Sequence, residues 1–169
     1  MHHSMQPAWR AFPRQSRRPR GVTLVELTAV IAIIALIAAV AVPRFLQSMA
    51  IQRLDAAARR FDADIRQMQA QARARGESQT LVVNTAGMSY TLNRGTPAAL
   101  GATVSRVSLA DAPYELASVA ADFGGDAQLV FDGYGVPDSG GSLTLGLGGR
   151  TVTVAVDSQT GLPGPPTWN

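Results

Sequence analysis

The sequence predicts an α+β protein: a long N-terminal α-helix, hydrophobic and protruding in its first half, amphipathic in its second and packed there on an antiparallel β-sheet domain. Three observations predict it. From Val22 to Val42 every residue is hydrophobic except Thr23, Glu26 and Thr28. At ~1.5 Å per residue this run makes roughly 31 Å of helix, close to the ~30 Å hydrocarbon core of a bilayer. From Ile51 to Ala72 apolar residues recur at steps of three and four, and beyond Gly76 the chain turns to short alternating segments separated by Gly, Pro and Asp. The chain therefore divides into a leader over 1–21, a transmembrane half-helix over 22–42, an amphipathic half-helix over 43–75 and a β-rich domain over 76–169.

The leader is where the charge lies. All 15 basic residues are arginines, and five of them (Arg10, Arg14, Arg17, Arg18 and Arg20) precede Gly21 with no acid among them. Residues 22–75 hold seven arginines and four acids, whereas residues 76–169 hold three arginines and eight acids. The body is thus acidic, and its arginines Arg94, Arg106 and Arg150 are too scattered in sequence to suggest a phosphate-binding stripe; no nucleic acid is expected as a partner. By the positive-inside rule the basic leader stays in the cytoplasm and the C-terminal body crosses the membrane.

Glu26 is the residue in the apolar run that needs a reason. An ionised carboxylate at the centre of a membrane helix costs about 2.5 to 3.5 kcal/mol, less near its end. Two processing schemes treat it differently. A cleaved signal peptide would end at Ala39-Val40-Ala41, with a cut after Ala41, and would discard the glutamate; Ser16-Arg17-Arg18 could even start a twin-arginine signal. A cut between Gly21 and Val22 keeps both the helix and the glutamate.

The second scheme has a family behind it. Gly21-Val22-Thr23-Leu24-Val25-Glu26, with a basic leader before it and an apolar run after it, resembles the processing site of type IV prepilins and type II secretion pseudopilins: glycine at the cut and glutamate five residues beyond. Pro43 stands 22 residues after the cut, as in many pilin helices. The resemblance implies cleavage by a prepilin peptidase/methyltransferase, N-methylation of Val22, anchoring in the lipid bilayer of the bacterial inner membrane with the C-terminal domain in the periplasm, delivery to an inner-membrane assembly platform, and incorporation beside other pilins or pseudopilins of one filament. It also implies a role for Glu26, which can lie against the Val22 amine of a neighbouring chain. Each ion then compensates the other, and removing one partner of such a buried pair typically costs ~3 to 5 kcal/mol. The closing strands and the Leu129-Val130-Phe131-Asp132-Gly133 segment are similar to minor pseudopilin H and the FimT-type minor pilins.

Past Pro43, which removes a backbone donor and predicts a helix bend or a locally melted turn, Ile51, Leu54, Ala58, Phe61, Ile65, Met68 and Ala72 form one seam. Arg53, Asp55, Arg59, Arg60, Asp62, Asp64 and Arg66 are assigned to other faces. Gly76 after Arg73 and Arg75 suits a helix end. Thr80–Val83 and Ser89–Leu92 predict a hairpin, Thr103–Leu109 a weaker strand, and Gln128–Phe131, Ser142–Leu147 and Thr151–Val156 clearer ones, the last two joined through Gly148-Gly149. The proline-containing tail from Gly161 is expected to be extended or loose.

Chemistry is sparse. The body has no Cys, and the only histidines are His2 and His3, so the usual nucleophile, general base and metal ligands are missing from it and no catalytic site or cofactor is expected. Asp132 to Gly140 puts two carboxylates in a glycine-rich loop; a turn is the main reading and calcium the alternative.

Overall fold

The computed structural model describes residues 21–169. The leader, apart from Gly21, its arginines and both histidines lie outside the described residues. The chain separates into two compact units that meet between Val40 and Ala41.

Helix α1 spans Leu24–Arg75 and is continuous across Pro43, so the melted turn does not form. Its two parts meet different surroundings. From Leu24 to Leu46 no residue is buried, and apolar side chains as large as Ile33, Leu36 and Phe45 are exposed. From Ala50 onward one stripe is buried: Leu54, Ala57, Ala58, Phe61, Ile65, Met68 and Ala72. Arg73 and Arg75 end the helix, where cations complement the carbonyl dipoles. Gly76 follows with φ +64, and its amide bonds back to the Ala72 carbonyl at 2.9 Å.

Eight strands follow: β1 Gln79–Asn84, β2 Ser89–Thr96, β3 Ala99–Ser108, β4 Ser118–Phe123, β5 Gln128–Phe131, β6 Gly141–Leu147, β7 Arg150–Val156 and β8 Thr167–Trp168. They form two four-stranded sheets, ordered β3-β2-β1-β5 and β4-β6-β7-β8, and every neighbouring pair is antiparallel. The predicted hairpins form: Val83 faces Tyr90 in β1–β2, and Leu147 faces Arg150 across Gly148-Gly149. Both turn glycines have positive φ, at 61° and 76°, the mirror-image conformation that a two-residue hairpin needs.

Alternation puts Leu143 and Leu145 of β6 and Val152, Val154 and Val156 of β7 into the core, with Leu81, Tyr90, Leu129 and Phe131 from the other sheet. Each fully buried Leu, Val or Phe contributes on the order of 1.5–3 kcal/mol.

Three expectations are corrected. Strand β4 was not anticipated: its alanines and aspartate dilute β-propensity, although Val119 and Phe123 alternate inward. The weak strand is longer and starts earlier, at Ala99. Asp64, assigned to an outer face, is buried at 3% exposure. Its Oδ2 accepts from the Tyr90 hydroxyl at 2.7 Å and from Arg60 Nε at 3.0 Å. A buried carboxylate is tolerable only with such donors. Burial and the bond to Asp64 push the Tyr90 phenol well above its ordinary range. Its ring also meets Phe61 edge to face, with centroids 5.7 Å apart.

The tail is extended and ordered by hydrogen bonds. Thr151 and Asn169 exchange two backbone bonds of 3.0 Å, and β8 pairs with the outer side of β7, where prolines upstream cost no ladder bond. Asp157 governs the turn that leads there. Its Oδ1 accepts from the Thr160 amide at 2.7 Å, the Thr160 hydroxyl at 2.9 Å and the Gln159 amide at 2.9 Å. The Thr160 amide foremost, then its hydroxyl and the Gln159 amide, hold the Asp157 carboxyl below the usual aspartate range.

Two outcomes are expected. Tyr90→Phe leaves Asp64 short of a donor and should lower stability of the detergent-solubilised chain by about 1–3 kcal/mol, read as a lower urea midpoint at unchanged slope; an unchanged midpoint would show that the bond contributes nothing. The Asp157 carboxyl has a lowered folded pKa, so its contribution is complete above the unfolded value of about 3.9 and is lost as pH falls through the folded one. The Gln159 and Thr160 amide resonances should therefore titrate with a midpoint below about 3.9 and lose that titration in Asp157→Asn; a midpoint at or above the ordinary value contradicts the bonding.

Candidate functional site

The four residues that sequence analysis singles out lie at the start of the chain's apolar helix and inside it. Gly21, Val22 and Thr23 precede the first turn, Glu26 lies in that turn, and Pro43 lies within the helix. Nothing lies within 4 Å of where a Gly21 side chain would stand, and Val22 is 72% exposed. The scissile bond of the proposed cut is therefore in accessible, non-helical backbone.

Local chemistry fixes the helix start at this point. Thr23 Oγ1 accepts from the Glu26 amide at 3.1 Å, and the Thr23 carbonyl accepts from the Leu27 amide at 3.1 Å. Thr23 is thus the N-cap and Glu26 the third helical residue, the T-x-x-E spacing of a capping box. A carboxylate in the first turn also meets the positive end of the helix dipole, worth about 0.3–1 kcal/mol at an exposed terminus. This role of Thr23 was missed in the sequence reading, although the spacing before an apolar run is its signal. The Thr28 hydroxyl donates to the Val25 carbonyl at 2.9 Å, so the second threonine also satisfies its polar group within the helix.

From Leu24 to Leu46 the helix offers apolar side chains on all faces. It is long and apolar enough to cross a membrane, and no part of its most apolar 18-residue window is buried. A helix that is hydrophobic all round is one made to be covered, by protein or by lipid.

The Asp132–Gly140 loop has a structural occupation for its carboxylates. Asp132 Oδ1 accepts from the Tyr134 and Val136 amides at 2.9 and 2.8 Å, and Asp138 Oδ1 accepts from the Val130 amide at 3.0 Å and the Ser139 hydroxyl at 3.2 Å. The Asp132 bonds are those of an Asx turn, whereas Asp138 ties the loop back to the β5 backbone. The helix holds the loop in place: Gln69 Nε2 donates to the Gly135 and Thr160 carbonyls at 2.9 and 2.6 Å, and Arg73 Nε to the Tyr134 carbonyl at 3.1 Å. No group of three or more His, Asp or Glu side chains is placed to hold a metal among the described residues. A groove of about 410 Å³ runs between the helix and the tail at Pro163–Pro166. The helix charges lining it are paired with each other, Asp55 with Arg59 and Asp62 with Arg66.

Residues 57–160, which include the buried helix stripe from Ala57 onward and seven of the strands, match the family described as type II transport protein GspH. The chain belongs to the GspH family. Residues 16–42 match the prokaryotic N-terminal methylation motif, which covers Gly21, Val22 and Glu26 together with the apolar run. The GspH-family chain is accordingly a pilin- or pseudopilin-type subunit, a structural class. Among solved structures it is similar to the type IV minor pilin FimU of Pseudomonas aeruginosa strain PAO1, at 11% identity and a TM-score of 0.46, over 75% of this chain and 90% of that one. No curated protein matches it.

Replacing Thr23 by Val should remove the cap and cost the helix start about 0.5–2 kcal/mol. Hydrogen exchange of the Val25, Glu26 and Leu27 amides in micelles should accelerate while amides beyond Ile31 stay unchanged; equal protection in both proteins rules out the cap.

Proposed function

We propose that this GspH-family chain is a minor subunit of a type II secretion pseudopilus or a related type IV pilus, made as a precursor and matured at Gly21–Val22. A prepilin peptidase/methyltransferase removes the basic leader and methylates Val22. The helix then anchors the chain in the inner membrane, N-terminus cytoplasmic and domain periplasmic, until the assembly platform moves it into the filament. The observation that carries this reading is the methylation-motif match over residues 16–42, which falls on accessible backbone at Gly21–Val22 followed by a helix exposed and apolar on every face.

In that setting Glu26 has two partners in succession. Within its own chain it has the capped helix start, which reduces the cost of the charge. In the filament it meets the methylated amine of a neighbouring Val22, which fixes the axial offset between subunits. Pro43, with no amide to donate, is the place where the helix can open locally when subunits pack.

Intact-mass analysis of the membrane fraction tests the maturation step. The expected mature chain begins at methylated Val22; a chain beginning at Val42 would mean that signal peptidase releases a soluble periplasmic binding or accessory domain instead. Glu26→Ala should still be cut at Gly21 but should crosslink to the other subunits of the filament several-fold less, and unchanged crosslinking removes the pairing role.

A further inference from the structure

We infer that two loops, Asp132–Gly140 and Asp157–Pro163, together form a docking surface for a neighbouring subunit of the filament, one that presents an apolar seat for Tyr134 rimmed by lysine or arginine. The kind of partner rests on the filament role proposed above. All the residues involved belong to the compact unit Ala41–Asn169.

The first observation is an exposed apolar cluster on firmly held backbone. In the first loop Gly135 and Pro137 are buried, while Tyr134 and Val136 are 85% and 51% exposed. The second loop repeats the alternation: Gly161 and Pro163 are buried, and Leu162 between them is 42% exposed. The buried Gln69 brings the two loops together, its Nε2 donating to the Gly135 and Thr160 carbonyls at 2.9 and 2.6 Å. Arg73 Nε donates to the Tyr134 carbonyl at 3.1 Å, and Gly135, at φ +74, lies so close to the Arg73 side chain that a Cβ would strike it.

Tyr134, Val136 and Leu162 therefore stand on backbone fastened at three carbonyls. At its exposure the Tyr134 ring adds little to the core, so packing within the domain does not account for an aromatic at this position. An aromatic on ordered backbone is what protein interfaces use as an anchor, because little conformational entropy is left to lose on binding.

The second observation is the sign of the charge around the cluster. Asp132 and Asp138 in the first loop and Asp157 in the second are exposed. Glu77 adjoins them at Gly133, and the Asp122–Asp126 turn adjoins them where Gly124 lies beside Ser139. Against these acids stand Arg73 and Arg75, while Arg66, which reaches Pro163, is paired with Asp62. The surface is net negative. A second copy of it would bring like charges together, and an anionic lipid surface would be repelled in the same way. A basic protein surface is the complement: its cations meet the aspartates at the rim, and one of them can lie over the Tyr134 ring.

The chain has no cysteine, so Val136→Cys gives a unique attachment point for a benzophenone maleimide beside Tyr134. Ala117, exposed and bonded through its amide to Gly146 at the other end of β6, supplies the control as Ala117→Cys. The filament fraction of cells carrying the full-length variant is labelled, irradiated and digested, and the crosslinked peptides are sequenced.

The expected product joins the Val136→Cys chain to a different subunit of the filament through a peptide containing lysine or arginine, and Ala117→Cys does not give it. Adding Tyr134→Ser, or about 0.5 M salt, should lower its yield several-fold, and Tyr134→Phe should keep it. Absence of that product, crosslinks confined to a second copy or to lipid, or a yield indifferent to Tyr134→Ser and to salt, in a chain that still purifies with the filament, overturns the docking surface and leaves the filament role standing. A chain that never purifies with the filament overturns both.

Discussion

One helix has to satisfy two solvents, and the fold is arranged around that demand. Up to Leu46 α1 buries nothing, and from Ala50 it buries a single stripe. The second part supplies to the domain what neither sheet has alone: a row of apolar side chains against which Leu81, Leu129, Leu143 and Val154 are shielded. Two four-stranded sheets without that row would each leave an apolar face in water, at about 25 cal/mol for every Å² exposed. The first part has no such partner within the chain, so its covering comes from outside, first lipid and then other subunits in the reading proposed here.

Polar bonds hold the helix in one position on this core where apolar contact alone would tolerate several. Asp64 is the costly one. An ionised carboxylate loses several kcal/mol on leaving water, and the Tyr90 hydroxyl and the Arg60 guanidinium return enough to keep it buried. Because those partners stand at fixed places on β2 and one helical turn back, the bond can form at only one rotation of the helix. Gln69, one to two turns further on, fastens two loops at once through the Gly135 and Thr160 carbonyls. Arg66 reaches the Pro163 carbonyl at 3.4 Å. The tail that composition alone leaves extended or loose is thus tied to the helix before it pairs with β7.

The parts legible in the sequence are those encoded by local periodicity. The seam from Leu54 to Ala72, the β1–β2 hairpin and the β6–β7 hairpin with its paired glycines all follow from spacing of three, four or two. What escaped depends on residues far apart. Asp64 and Tyr90 are 26 positions from each other, and no local pattern marks Asp64 as buried beside Arg60, an ordinary surface pair by its i, i+4 spacing. The two-residue β8 is too short for any alternation to register and exists because β7 has a free side. At the candidate site the omission was of another kind: Thr23-Leu24-Val25-Glu26 carries its capping signal in plain view, overshadowed by the charge of Glu26.

That cap changes the physical account of the glutamate. A carboxylate in the first helical turn, with the amide dipoles behind it, does not stand unaided in the apolar run, and the 0.3–1 kcal/mol that such a position contributes reduces the cost of a charge near the membrane boundary, which is itself below the 2.5–3.5 kcal/mol of the bilayer centre. In the proposed maturation the subunit could therefore wait in the membrane without a partner for Glu26. Once neighbouring helices replace lipid and interfacial water, the terminal dipole is too weak to balance a dry carboxylate, and a full positive charge is needed. Cleavage at Gly21 would create one four residues away, on Val22. In a single helix the Val22 amine lies before the cap, whereas the Glu26 side chain branches from the first turn, so a neighbour displaced along the axis can bring its own amine to that carboxylate. In the reading proposed here the same residue would tolerate membrane storage through its cap and demand a second subunit in the filament.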